Sequence, residues 1–241
     1  MSSTYGIGSG NVGFPFRGLR GITTWGTRTL SLVCAVLILL GATNIPGSQP
    51  PAKNTPTEAM RATVGQALEI LQDQELRKSE RTNERVTRLK KIADSRFDYG
   101  EMAKRSLGSQ WDKLEEKAQQ EFVDLFTELL TTTYVEKIHD YSGEEVTFLS
   151  ERLEGNHAEV KSIMVGKKSE IPLDYRLMIK GDDWKAYDVV VDGISLVRNY
   201  RQQFAAILRS SSFEQLVKTL REKNAQYNVK TKTSRMSTSS H

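Results

Sequence analysis

From Glu145 to Gly193 apolar and polar residues alternate, and beyond Gly193 the spacing becomes that of a helix. The clearest stretch sets Ile171, Leu173, Tyr175, Leu177 and Ile179 on one side and Asp174, Arg176 and Lys180 on the other, a strand with one buried and one wet face. Turn residues at Gly155-Asn156, Gly166 to Ser169 and Gly181-Asp182-Asp183 divide the region into four strands joined as antiparallel hairpins. Val146 and Phe148 mark the first, Val160 to Val165 the second, and Tyr187, Val189 and Val191 the fourth. Pro172 places the third strand at an edge, or itself at a strand start, because proline has no N–H for a ladder. After Asp192-Gly193 the apolar positions become Leu196, Tyr200, Phe204, Ile207 and Leu208, one face of a helix.

The preceding half reads as helices. Thr55-Pro56-Thr57-Glu58 is a capping box with proline at the first helical position, and Met60, Val64, Ala67, Leu68 and Leu71 form the stripe behind it. A charged stretch follows, then a thin apolar line at Val86, Leu89 and Ile92. Asp98 caps a short helix carrying Met102, Ala103 and Leu107 that stops near Gly108. Asp112 to Glu115 reads as the cap of the longest helix, with a broad aromatic stripe through Phe122, Phe126, Leu129, Tyr134 and Ile138 to Tyr141. Ser212 caps a last helix with Leu216, Val217 and Leu220, and from Asn224 the composition predicts a polar, disordered tail. The fold class is therefore α+β, an antiparallel sheet of about four strands cradled by helices. Such an arrangement either closes into a solid core or encloses a cavity, and the pattern does not choose between them.

The N-terminus changes the picture of where the chain works. Arg17, Arg20 and Arg28 precede an apolar run, Leu30 to Leu40, that ends in Gly41, Ala42 and Thr43. These are the parts of a secretory signal, and the run is short for a hydrocarbon layer of about 30 Å. Residues 1–45 are expected to be a signal peptide or, uncleaved, a signal anchor, and 46–56 a Pro-rich linker. The only cysteine, Cys34, lies inside the run in the wrong context for a lipoprotein site, and no disulfide framework is available.

Charge and chemistry narrow the function. Of 34 basic residues, the three leader arginines aside, 31 face 30 acidic ones, so no basic excess marks a nucleic-acid surface. His139, His157 and His241 lack metal-site spacing, and no phosphate loop or nucleophile elbow occurs. Asp188 and Asp192, flanking the valine strand, are the nearest approach to an acid–base pair, at positions that normally face solvent. Neither a catalytic residue, a metal nor a cofactor is expected.

The run from Trp184 through Tyr187-Asp188-Val189-Val190-Val191-Asp192-Gly193-Ile194-Ser195-Leu196 to Asn199-Tyr200-Arg201 and Phe204 strongly resembles the MlaC family. Arg96-Phe97-Asp98-Tyr99 with Met102-Ala103, the stripe around Phe122 and Phe126, and the helix Leu216 to Lys223 extend the likeness over about Thr57 to Lys223. The long leader and the Ser/Thr-rich tail depart from the pattern. The resemblance implies a periplasmic lipid-binding domain at 57–223, followed by the tail 224–241, that holds the acyl chains of a glycerophospholipid in an apolar pocket. It further implies shuttling between an outer-membrane lipoprotein complex and an inner-membrane ABC transporter with an MCE-domain subunit. The residues it points to for the tails are Phe126, Leu129, Tyr134, Phe148, Ile163, Leu173, Tyr175, Leu177, Val189, Val191, Leu196, Tyr200, Phe204 and Leu208. Two rivals stand beside it: a small-molecule isomerase of the NTF2-like class, using Asp188, and a cavity-free interaction module.

Overall fold

The computed structural model describes residues 52–139, 141–167 and 169–238, without the side chains of 134–139 and 227–238. The leader, the start of the linker and the end of the tail lie outside that range, and so do the expectations placed on them.

The chain opens with helix α1, Pro56–Gln72, whose Thr55 capping box forms as expected. Helix α2, Thr82–Arg96, follows the charged stretch. Helix α3, Tyr99–Leu107, starts on Asp98, whose carboxylate accepts from the Glu101 N–H, and ends at Gly108 with φ 60° and ψ −133°. Asp112 does not cap the long helix. Gly108–Lys113 turns as a 3-10 segment, and α4 runs from Glu116 to His139, leaving Tyr141 beyond it. Helix α5, Leu196–Ser210, and α6, Phe213–Thr238, close the chain. The last helix continues past Lys223, where the sequence reading ends the domain. Asn224 lies there 2% exposed and donates to the Leu125 carbonyl of α4, which anchors the extra turns.

The sheet has five strands in sequence order, all antiparallel: β1 Glu145–Glu154, β2 His157–Val165, β3 Glu170–Lys180, β4 Asp183–Val191 and the two-residue β5 Ile194–Ser195. The fifth is invisible to periodicity because two residues cannot show a period. Contrary to an edge placement, β3 is central; Pro172 stands near its start, and its carbonyl accepts from the Asp192 N–H. Asp192 and Gly193, both at positive φ, make the tight turn between β4 and β5.

Two registers break. Leu149 is an extra residue in β1, and Tyr187 is an extra residue in β4, because Arg176 pairs with Asp188 while Leu177 pairs with Ala186. The second bulge corrects the sequence reading: Tyr187 does not share a face with Val189 and Val191. Trp184 and Ala186 do. Tyr187 turns instead to Arg105, whose guanidinium lies 4.2 Å from its ring centre, and to the His157 ring at 5.9 Å.

Two cores result. The helical core joins α3, α4, α5 and α6 through Phe122, Phe126, Tyr200, Phe204, Leu216 and Leu220, and the sheet core joins α1 to Ala158, Val160, Tyr175, Leu177, Trp184 and Ala186. Phe97 packs against both. Its neighbours fix that junction: Asp98 N–H donates to the Ala186 carbonyl, Lys180 reaches the Asp98 carboxylate at 2.7 Å, and Arg96 binds Thr63 and Asp183.

Candidate lipid-binding surface

One face of the sheet carries, strand by strand, Val146 and Phe148; Ala158, Val160, Ser162 and Met164; Ile171, Leu173, Tyr175, Leu177 and Ile179; and Trp184, Ala186, Val189 and Val191. Alternation puts them together, and the bulge at Tyr187 keeps both halves of β4 on this face. Helix α1 lies over it, running antiparallel to β1. Thr57 donates through N–H and hydroxyl to Glu151, Arg61 sits over Phe148, and Gln72 meets Tyr141 at the start of the strand.

For the large apolar side chains at the centre of the sheet and for those of α1, burial falls in the same direction along this pair of surfaces. At the end of the β3–β4 hairpin, Ala59 and Met60 of α1 are 1% exposed, and Val160, Leu177 and Ala186 beneath them have no exposure at all. Towards the other end, Val64, Ala67, Leu68 and Leu71 of α1 are half-buried, as are Val146, Phe148, Met164, Ile171, Leu173, Val189 and Val191 of the sheet. A helix and a sheet in full contact bury both stripes along their length. Here the contact is closest around Met60, Val160, Leu177 and Ala186, although the half-buried Ile179 and the exposed Leu153 lie at that end and the buried Ser162 at the other, and apolar side chains of both layers remain partly uncovered from Val64 and Phe148 onward.

Against this wedge the fourteen residues of the sequence reading separate. Phe148, Leu173, Val189 and Val191 lie on its open half, and Tyr175 and Leu177 at its closed half. Phe126, Leu129, Tyr200 and Phe204 belong to the helical core, with Leu196 and Leu208 packed at its flank. Phe126 meets Tyr200 edge-on at 5.1 Å between ring centres and Phe204 at 5.7 Å, and Phe122 meets Phe204 at 5.5 Å. Phe122 and Phe126 have no exposure, so this cluster is solid packing. Ile163 is on the opposite face of the sheet: the Ser162 hydroxyl points inward, donating to the Leu173 carbonyl, so the next residue must point out. The side chain of Tyr134 lies outside the described part. Val64, Ala67, Leu68 and Leu71, read from the sequence as part of the buried stripe of α1, are half-buried here and stand outside those fourteen.

Polar groups near the surface are satisfied. Asp188, expected at the surface, is 3% exposed on the opposite face, where it accepts from Ser195 Oγ at 2.6 Å, the Val197 N–H at 3.0 Å and Arg176 at 3.1 Å. It ties β4 to the first turn of α5. Burial pushes the Tyr175 phenol well above its usual range, so the wall it forms stays neutral, and burial pushes Tyr99 up to about 12. A separate groove between α4 and α6 is lined by Glu116, Lys117, Gln120, Glu121, Asp124, Leu125 and Arg221, all polar or charged apart from Leu125. Among the described residues no His, Cys, Asp or Glu cluster is arranged to hold a metal, and no helix is long and apolar enough to cross a membrane.

The fold is similar to a phospholipid-binding protein from Ralstonia solanacearum solved in complex with a phospholipid, with a TM-score of 0.62, 25% identity, and coverage of 71% of this chain and 97% of that one. In sequence the chain is similar to the intermembrane phospholipid transport system binding protein MlaC of Haemophilus influenzae, 22% identical over 126 residues. That alignment takes in 50% of this chain and 59% of the relative, less than two thirds of its length. The family model described as MlaC protein matches residues 61–222, from the second turn of α1 into α6, and on that match the chain belongs to the MlaC family.

Proposed function

We propose that this protein is a periplasmic phospholipid carrier that takes acyl chains between α1 and the open half of the sheet and leaves the headgroup near water. The observation that carries the reading is the parallel decline in burial along α1 and the sheet face beneath it. An exposed methylene costs about 0.8 kcal/mol, so two long chains in water cost on the order of tens of kcal/mol, and a carrier must cover nearly all of them. A half-buried apolar wall on two facing layers supplies that cover without unfolding the closed end. The phospholipid held by the Ralstonia solanacearum relative supports the same reading. So does the name of the Haemophilus influenzae protein.

The finer role follows from the family: transfer between an outer-membrane lipoprotein complex and an inner-membrane ABC transporter with an MCE-domain subunit, by a chain exported through its leader and either released or held by it. A lipid-binding domain from residue 57 to 223, extended into α6 by the buried Asn224, suits that reading. The isomerase alternative loses its base, because the carboxylate of Asp188 is occupied by three donors.

Native mass spectrometry of gently purified protein from a diderm host tests the proposal. The expected spectrum shows added mass equal to a phospholipid; protein without added mass would favour the cavity-free module. Val189→Asp and Leu68→Asp, on the two facing layers, are expected to abolish lipid co-purification while the far-ultraviolet spectrum stays that of a folded protein. Retention of lipid by both variants would place the tails elsewhere.

A further inference from the structure

Resting on the carrier reading, we infer that Arg61 is the contact for the phosphate of the bound lipid. Its guanidinium lies 4.9 Å from the ring centre of Phe148, and Phe148 is a half-buried wall residue of the sheet. Arg61 itself is exposed on α1. The cation therefore stands where apolar surface gives way to water, the level at which a glycerophosphate sits when its tails are inside.

Among the described residues Arg61 has no ion pair, and the carboxylates of Glu58 on α1 and Glu151 on β1 have other partners. Glu58, one turn earlier, accepts from the Thr55 N–H at 2.8 Å, and Glu151, next along β1, accepts both donors of Thr57. Its described contact is the Phe148 ring, and a cation–π contact at an exposed site is weaker than charge-assisted hydrogen bonds from a guanidinium to a phosphate. A phosphate oxygen arriving there takes the guanidinium from the ring. The same move uncovers Phe148 for the chain below it, so headgroup contact and tail contact favour each other. The planar fork of arginine suits two phosphate oxygens in a way an ammonium does not.

The test offers full-length protein an equimolar detergent dispersion of phosphatidylglycerol and diacylglycerol with the same acyl chains, and counts bound lipids by mass spectrometry. Wild type is expected to prefer phosphatidylglycerol by about tenfold, the ratio one charge-assisted hydrogen bond supplies. Arg61→Gln is expected to lose the preference while still taking up diacylglycerol, and Arg61→Lys to keep part of it. An unaltered preference in Arg61→Gln, or none in wild type, overturns the assignment while leaving the carrier reading intact. Wild type that takes neither lipid overturns both. Inorganic phosphate at constant ionic strength is expected to leave the phosphatidylglycerol load in place; displacement in wild type but not in Arg61→Gln would give Arg61 to free phosphate and overturn the headgroup contact.

Discussion

Two kinds of aromatic and aliphatic residue share this chain, and burial distinguishes them where sequence does not. Phe122 and Phe204 touch other rings on several sides, so Phe122→Ala or Phe204→Ala is expected to cost about 3–5 kcal/mol in urea unfolding. Residues on the open half of the sheet are expected to change lipid retention far more than stability. Gly108 is fixed by geometry: its positive φ disfavours a side chain, and an added Cβ would stand 3.0 Å from the Arg201 guanidinium. Gly108→Ala should lose about 1–3 kcal/mol in the same assay. Tyr99 gives a pH signature. Its folded pKa, about 12 against an ordinary 10, is raised, so the stability it contributes is full below pH 10 and is lost as pH rises towards 12. Unfolding midpoints measured from pH 9 to 12 should fall less steeply for Tyr99→Phe than for wild type.

At the scale of elements, strand-to-helix junctions hold the layers in place. Asp188 spends its carboxylate on the first turn of α5 and on Arg176, so Asp188→Ala should cost about 2–3 kcal/mol by denaturant unfolding, and Asp188→Asn less because it keeps an acceptor. The stretch from Trp184 to Phe204 that carries the family likeness is thus largely architecture. So is Arg96 to Tyr99, which seats Phe97 between the two cores. Helix starts at Thr55 and Asp98 were legible because caps are local chemistry. The strand faces were legible from alternation, apart from the two bulges. A bulge is set by pairing across strands, which the order of residues along one strand does not contain. The candidate wall was only half legible for a related reason: Phe126 and Leu68 look alike in a stripe, and only the tertiary fit makes one solid core and the other a partly uncovered surface.

For the molecule as a whole, the two cores divide the work. The helical core and the closed end of the wedge hold the fold, while the open half of α1 and the sheet is where the proposed lipid would bind and leave. Delipidated protein is therefore expected to remain folded but to melt at a lower temperature than loaded protein. Phospholipid at about 100 times its dissociation constant should restore roughly 2.7 kcal/mol in a thermal shift titration; equal melting points with and without lipid would count against a ligand bound in the folded state. The supernumerary Tyr187 has its largest effect at this scale. Its place in a bulge is what lets Trp184 and Ala186 share a face with Val189 and Val191; pairing the same residues without the bulge would turn half of β4 away from α1, whereas excising residue 187 would leave all four at alternate positions facing it. A loss of three nucleotides would thus spare both the sealed floor and the proposed lipid surface, while ironing the bulge out of the intact strand would spoil one of them.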